Sequence, residues 1–339
     1  MKRIFITGGT GLVGAHLLYR LSQFDNELFA SKRLKSEINK TLKIFSYYTE
    51  NYQELFEKIN WIDVDITNII DLEDNLNNID EIYHCAALVS YQKKDKEKML
   101  EINIDGTATI VNFALQNNVS KLCYVSSIAS FGTSKNTEPI TEQTEWEDTK
   151  STSAYSKSKY FAEQEIWRGI AEGLNAVIVN PAVILGAGNW DSSSSVIFST
   201  VDNALKFYTK GITGFVDVSD LVEIMIILME KNAFAENFII SSENLSYEKI
   251  FSLISDNLGV KKPSVYANKN LTSIAWRLEF VKSILFNQKP IITKQSAITA
   301  HKKLEYSNKK ILDKIDFKFK TIEQSVKEIA EIYLKDKKN

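Results

Sequence analysis

From residue 2 to about 180 the chain alternates short β-branched runs with longer amphipathic stretches. The runs are RIFIT, ELFAS, WIDVD, EIYHCA, KLCYVSS and AVIVN, and helical periods begin near Leu12, Ser36, Asp71, Lys94 and Ser153. Strands separated in this way by helices are joined by crossovers, and crossovers demand a mostly parallel sheet covered on both faces. The fold class is therefore α/β, with a doubly wound parallel sheet. Ligands of such sheets bind beyond the carboxyl ends of the strands. The residues that follow the runs are Gly8 to Gly14, Ser31 to Arg33, Asp65, Ala86 and Ala87, Ser126 and Ser127, and Asn180 and Pro181.

After Pro181 the rhythm breaks. A Gly- and Ser-rich stretch, GAGNWDSSSS, precedes an apolar helical segment, and FVDVSDLVEIMIILME and NFIISSE then read as one more helix and strand rejoining the sheet. The expected division is a Rossmann-type domain over 1–185, completed by about 216–242, and a smaller, mainly helical substrate-binding lobe from 186–215 and 243–310. A C-terminal helical segment covers 311–339.

Directly after the first run, TGGTGLVG sets Gly8, Gly11 and Gly14 three residues apart at the start of a helix. A strand-to-helix turn without Cβ atoms lets backbone N–H groups and the positive helix end approach a pyrophosphate closely. Gly8, Thr10, Gly11, Leu12, Val13 and Gly14 form this candidate cradle, and residues 1–185 become an NAD(P)-binding domain. The end of the second strand decides which dinucleotide, because an acid there would bond the ribose 2′-OH and a cation would pair with a 2′-phosphate. In ELFASKRLKSE the place is held by Ser31, Lys32 and Arg33, and the first acid is Glu37. NADP(H) is favoured over NAD(H).

Charge and cysteine content narrow the class further. Lys+Arg 41 against Asp+Glu 43 leaves a formal charge of −2, so no global field recruits nucleic acid or an anionic membrane. No apolar run reaches the ~18 residues of a spanning helix, and MKRIFITGG passes from two cations straight into a short strand, without the long apolar region and small-residue cleavage site expected of a secretory signal. Cys85 and Cys123, inside IYHCAAL and KLCYVSS, read as buried thiols of a reducing compartment. The expectation is a cytoplasmic protein with a small-molecule partner, and with neither nucleic acid nor membrane. His16, His84 and His301 stand singly, so no metal site is expected. Asp217 and Asp220 read as a helix N-cap with one core-facing acid.

Tyr followed four residues later by Lys occurs at Tyr155/Lys159, Tyr306/Lys310 and Tyr333/Lys337. On a helix such a pair shares one face, but spacing alone does not choose among three.

The chain resembles the extended short-chain dehydrogenase/reductase family, also called the NAD-dependent epimerase/dehydratase family. Four landmarks carry the resemblance: TGGTGLVG, DVDIT, HCAAL, and YVSSIASFG followed by YSKSK. It implies that Ser127, matched by its spacing to Phe131-Gly132, joins Tyr155 and Lys159 as the catalytic set. Asp65, followed by Ile66, matches the adenine-binding acid; Ala86 and Ala87 lie in HCAAL; Asn103 matches a helix residue near the active site; Asn180 and Pro181 match the segment bordering nicotinamide. Tyr306 and Tyr333, being C-terminal, are expected away from the strand ends.

A phenol titrates near ~10, so working at pH 7 needs about 4 kcal/mol in favour of phenolate, a field of the sign that Lys159 would supply. Lys159 would also hold the nicotinamide ribose. Members of the family reduce carbonyls or epimerise and dehydrate nucleotide sugars, and a diphosphate usually wants an arginine clamp. Beyond Pro181 the chain has only Arg277, while Trp190, Ile197, Phe198, Val201, Phe207, Tyr208 and Phe215 read as an apolar pocket wall. The reading is a carbonyl reductase similar to the dihydroflavonol-reductase-like branch. A nucleotide-sugar epimerase or dehydratase using Lys206 or Lys210, and a non-catalytic dinucleotide sensor, are the alternatives. Helices 99–117 and 152–170 carry more apolar surface than one sheet can cover, Phe161 included, and the resemblance implies a homodimer through a four-helix bundle.

Overall fold

The computed structural model describes residues 1–339 except 34–35, 91, 134–137, 150–151, 287–292 and 339. The six expected runs are strands β1 Lys2–Thr7, β2 Asn26–Lys32, β3 Ile59–Asp63, β4 Glu81–His84, β5 Lys121–Val125 and β6 Ala176–Pro181. Then follow β7 Val183–Leu185, β8 Phe207–Tyr208, β9 Ile212–Asp217, β10 Glu236–Ile240, β11 Glu243–Ser246 and β12 Val265–Tyr266. Seven of these form one sheet in the order β10-β6-β5-β4-β1-β2-β3, with every neighbouring pair parallel. The chain builds outward from β1 to β3 and returns on the other side at β4. Strand order therefore reverses between β1 and β4, where such sheets open a crevice.

Side-chain alternation supplies a core on each face. Ile4 and Ile6 of β1 join Leu17, Leu18, Leu221 and Met225 on one side. Phe5 joins Ile82, Ile110, Phe113, Leu122 and Ile178 on the other, as a period of two in a doubly covered strand requires. Helix Val218–Glu230 lies against helix Leu12–Leu21 and delivers β10 to the edge beside β6. Its N-cap is Asp217, which accepts Ser219 N at 2.8 Å, while Asp220 accepts Lys320 N at 2.7 Å. The N-cap reading of this acid pair holds.

Helix 99–117 is interrupted. Helices Lys96–Leu100 and Gly106–Gln116 are joined by a π-helical turn, Glu101–Asp105. Gly106 packs so close to Ile66 that a Cβ there would lie 3.0 Å from the isoleucine. Val111 is buried beside Gly169 of helix Ala154–Ala171. Phe161 is 44% exposed, and Trp146 of the same chain packs edge-on to it while stacking on Tyr160 at 4.2 Å.

Beside the seven-stranded sheet stands a three-stranded one, β11-β9-β7, with a core of its own. Helices Val196–Asp202, Tyr247–Leu258 and Ile322–Asp336 close its core, in which Leu185, Phe198, Val201, Phe215, Ile254, Val326 and Tyr333 are buried together. The apolar wall expected from sequence is thus largely part of this core. Trp190 packs edge-on to Tyr333 and donates Nε1–H to Asp336 at 2.7 Å, and Phe207 faces solvent. Tyr333 and Lys337 both bond Asp202, at 2.8 and 2.6 Å, which makes the last of the Tyr-Lys pairs a clamp on helix Val196–Asp202. Phe198→Ala is expected to cost ~3–5 kcal/mol of stability, as for other buried aromatic truncations. Urea denaturation measures it; an unchanged midpoint would return Phe198 to a ligand-facing role.

Candidate active site

Gly8 sits in the left-handed region at φ +70°, and a Cβ there would lie 2.8 Å from the Ala86 backbone. A Cβ on Gly14 would lie 2.3 Å from Gly8 O, the atom that accepts Gly11 N at 2.9 Å. Gly11 is the N-cap of helix Leu12–Leu21 and offers no side chain to its N–H groups. The positive end of that helix opens into a cleft of about 1550 Å3, lined here by Gly8, Thr10, Gly11, Leu12, Val13 and Gly14. Close backbone approach and unclaimed helix-end polarity fit the pyrophosphate of a dinucleotide.

At the end of β2 the candidates separate. Ser31 Oγ accepts Gly8 N at 3.1 Å and braces the glycine turn. Lys32 forms an ion pair with Asp63, its register partner on β3, and does not line the cleft. Arg33 does, beside Ser36, Glu37 and Lys40. Asp65 is exposed, with Oδ1 accepting Thr67 N at 3.0 Å and Thr67 Oγ1 at 2.8 Å, and Ile66 is buried against Gly106; neither lines the cleft. Ala87 and Pro181 line it, whereas Ala86, Asn103 and Asn180 stand behind the lining. Asn103, carried on the π-turn, spans Leu88 N at 2.7 Å, Leu88 O at 3.0 Å and Ser158 Oγ at 2.9 Å. It ties the loop after β4 to helix Ala154–Ala171.

Ser127, Tyr155 and Lys159 share the cleft with the glycine cradle. Tyr155 and Lys159 come from helix Ala154–Ala171, whose N-cap Ser153 accepts Ser156 N at 3.0 Å. The two serines after β5 have different tasks. Ser126 is buried and donates its hydroxyl to Glu163 at 2.6 Å. Among the described residues Ser127 Oγ accepts from Ala129 N at 3.1 Å and donates to none, and it lines the cleft. Lys159 is 2% exposed and donates to Tyr124 OH at 3.0 Å and Val125 O at 2.8 Å, with its ammonium 4.6 Å from the Tyr124 ring centre. Burial pulls its pKa down to about 7, against the upward pull of Glu163.

Beneath Lys159 runs a chain of neutral groups. Thr107 donates to Asn103 O at 2.6 Å, so its oxygen accepts His84 Nε2–H at 3.0 Å. His84 Nδ1 then accepts the Thr7 hydroxyl at 2.7 Å, and Thr7 Oγ1 accepts Ala86 N at 3.0 Å. The ring is fixed in one tautomer and is structural, as a lone histidine suggested. Cys123 is core, but Cys85 lies just past β4 and lines the cleft; burial pushes its thiol up to about 12.

The far wall differs from expectation. Val183, Ile184, Ile212, Thr213, Tyr247, Thr299, Lys302, Leu304 and Tyr306 line it. Tyr306 is thus not remote: its backbone exchanges two bonds of 3.0 Å with the Asn244 side chain, and the segment folds back beside Ile140. Its partner Lys310 turns away to Asn237 O and Glu236. Neither Lys206 nor Lys210 reaches the cleft; Lys210 lines a separate cavity of about 440 Å3 with Tyr266 and His301. The sequence reading also passed over Glu163, whose only signal was its place four residues after Lys159.

Residues 4–240 match the model of the NAD dependent epimerase/dehydratase family. The chain belongs to that family. A Synechocystis sp. protein provisionally named dihydroflavonol 4-reductase is 28% identical over 267 residues, 76% of this chain and 73% of that protein. Cinnamoyl-CoA reductase 1 of Petunia hybrida is 24% identical over 254 residues, 68% and 75% of the two chains. The crystal structure of gox2253 superposes with a TM-score of 0.81 at 23% identity, over 99% of each chain, and so shares the fold. The epimerase/dehydratase family is one of nicotinamide-dependent enzymes, and the glycine cradle fits its dinucleotide.

Burial holds His84 near pKa 3 and His16 near 4, both below the ordinary 6.5. The unfolded chain takes up these protons as pH falls below about 6.5 and the folded chain does not, so stability is full above that pH and declines toward 4. Each unit of difference is worth about 1.4 kcal/mol. Urea midpoints from pH 7 to 4 should fall, and less steeply in His84→Asn. Equal slopes for the two proteins would mean that His84 is not held neutral.

Proposed function

We propose that this chain reduces a ketone or aldehyde with NADPH, using Tyr155 as the proton donor. The observation that carries the reading is that Ser127, Tyr155 and Lys159 meet the glycine cradle in one cleft. Bound nicotinamide supplies the hydride. Ser127, whose oxygen is already engaged by Ala129 N, donates its own proton in a hydrogen bond to the carbonyl oxygen. Tyr155 transfers its proton to that oxygen as the carbonyl carbon gains the hydride, giving an alcohol. Lys159 has three N–H donors and spends two on Tyr124 and Val125. Its remaining N–H would favour the phenolate that Tyr155 becomes and would be free to hold the nicotinamide ribose of a bound cofactor. Proton and hydride both end on the substrate, and Tyr155 is recharged from solvent.

Two features support reduction over sugar chemistry. The substrate wall is mostly apolar, with Ile184, Ile212, Leu304 and Phe131 beside Tyr306, which suits a hydrophobic carbonyl compound. The relatives named for reduction of dihydroflavonols and cinnamoyl-CoA lie in the same direction. Lys302, a cation on that wall, favours the alternative of a nucleotide-diphosphate-sugar epimerase or dehydratase. Of the two cations Lys32 and Arg33 at the end of β2, Arg33 supports the preference for NADPH, since Lys32 already pairs with Asp63.

Tyr155→Phe should lower kcat by at least ~10²-fold, within the range of general acid catalysis, and leave NADPH affinity unchanged. Oxidation of NADPH with a panel of ketones, aldehydes and nucleotide sugars measures turnover. Activity on a nucleotide sugar alone would replace the carbonyl reading with the epimerase one, and a Phe variant near wild-type rate would remove Tyr155 from the chemistry.

Fluorescence titration should show NADPH bound more tightly than NADH. Arg33→Ala should weaken NADPH roughly tenfold, the scale of a partly exposed charge-assisted bond, while Lys32→Ala leaves the ratio alone. Equal affinities in the wild type would overturn the NADPH assignment.

A further inference from the structure

Glu163 stands one helical turn beyond Lys159 and is 5% exposed. One of its oxygens, Oε2, accepts both the Ser126 hydroxyl at 2.6 Å and Asn180 Nδ2 at 2.8 Å. Asn180 also donates to Ser130 Oγ at 2.9 Å, and the Ser130 hydroxyl donates to Ser127 O at 2.8 Å. Asn180 Oδ1 is buried with no partner among the described residues. The amide thus turns its Nδ2 side to the carboxylate and to Ser130 Oγ although that leaves an acceptor unmet, an arrangement that suits a buried anion.

Lys159 needs such an anion. Its two strand contacts, Tyr124 OH and Val125 O, are neutral oxygens, and among the described residues no ion pair engages it. The titratable groups that face it are Tyr155 and Glu163 on its own helix, Tyr124 on β5, and His84 and Cys85 at the end of β4. Burial keeps His84 and Cys85 uncharged near neutral pH, and pushes the Tyr124 phenol well up. Glu163 is left to balance the ammonium.

We propose that Glu163 is a positioning residue of this site: its buried carboxylate is the counter-charge of Lys159 and, through Ser126, Asn180 and Ser130, it holds Ser127 toward the cleft. The inference rests on the reading of Ser127, Tyr155 and Lys159 as the reacting set, but its test needs neither substrate nor turnover. Glu163→Gln keeps an oxygen for Ser126 and Asn180 and removes only the charge. Glu163→Asp keeps the charge and shortens the reach.

The titration of Lys159 is followed by NMR of ¹⁵N-lysine-labelled protein, with the signal assigned by its loss in Lys159→Met. In Glu163→Gln the midpoint should fall by about one pH unit or more, and in Glu163→Asp it should stay closer to wild type. An unchanged midpoint in the Gln variant, or equal shifts in both, would overturn the counter-charge role. A denaturation cycle provides a second readout. Lys159→Met and Glu163→Gln should each destabilise by leaving one buried charge unbalanced, and the double variant should recover much of the loss. If Glu163→Gln alone does not fold, the double variant should; strictly additive losses, or a double variant that also fails, would overturn the proposal.

Discussion

An ammonium group lies under the carboxyl edge of a parallel sheet with almost no water around it, and much of the site is arranged to tolerate that. Lys159 is covered by helix Ala154–Ala171 on one side and by β5 on the other. A buried cation loses hydration that only dipoles, a ring face or an opposite charge can replace. The Val125 carbonyl and the Tyr124 hydroxyl provide the dipoles, and the Tyr124 ring provides the face. The same cation disfavours a second positive charge nearby, which adds to burial in keeping His84 neutral. The Thr7–His84–Thr107 chain then links the end of β1, across β4, to the π-turn that carries Asn103.

The sheet was legible because its evidence is local and repeated. Six β-branched runs at crossover spacing define strands whatever their neighbours do, and all six are present. Glycines 8, 11 and 14 were legible for a related reason, since a strand followed at once by a helix leaves the turn between them little freedom. What escaped depends on contacts between distant residues. Lys32 looked like a phosphate ligand until register set it against Asp63. The π-turn at Glu101–Asp105 accompanies the close seat of Gly106 on Ile66, which no helical periodicity reveals.

Two errors of placement share one origin. Phe198, Val201 and Phe215 were assigned to a pocket and form a core, while Tyr306 was assigned to the periphery and lines the cleft. Apolarity says that a residue will be covered and not by what; only the return of helix Ile322–Asp336 over β9 and helix Tyr247–Leu258 decides it. Glu163 is the converse case. An acid four residues after a lysine on a helix is ordinarily a solvated pair, and burial at the sheet edge changes its meaning.

The segment around Lys303 and Tyr306 touches both sides of the cleft. It bridges to Ile212 at the small sheet and to Ile140, in the stretch before helix Ala154–Ala171. Main-chain bonds at either end, Ile212 N to Lys302 O at 2.9 Å and Ile140 N to Glu305 O at 2.7 Å, fasten it like a strap. The gap between the walls is therefore gauged by the few residues from Lys302 to Tyr306. Widening that gap means breaking backbone hydrogen bonds, so side-chain changes on the wall alter what the cleft accepts while its span stays the same.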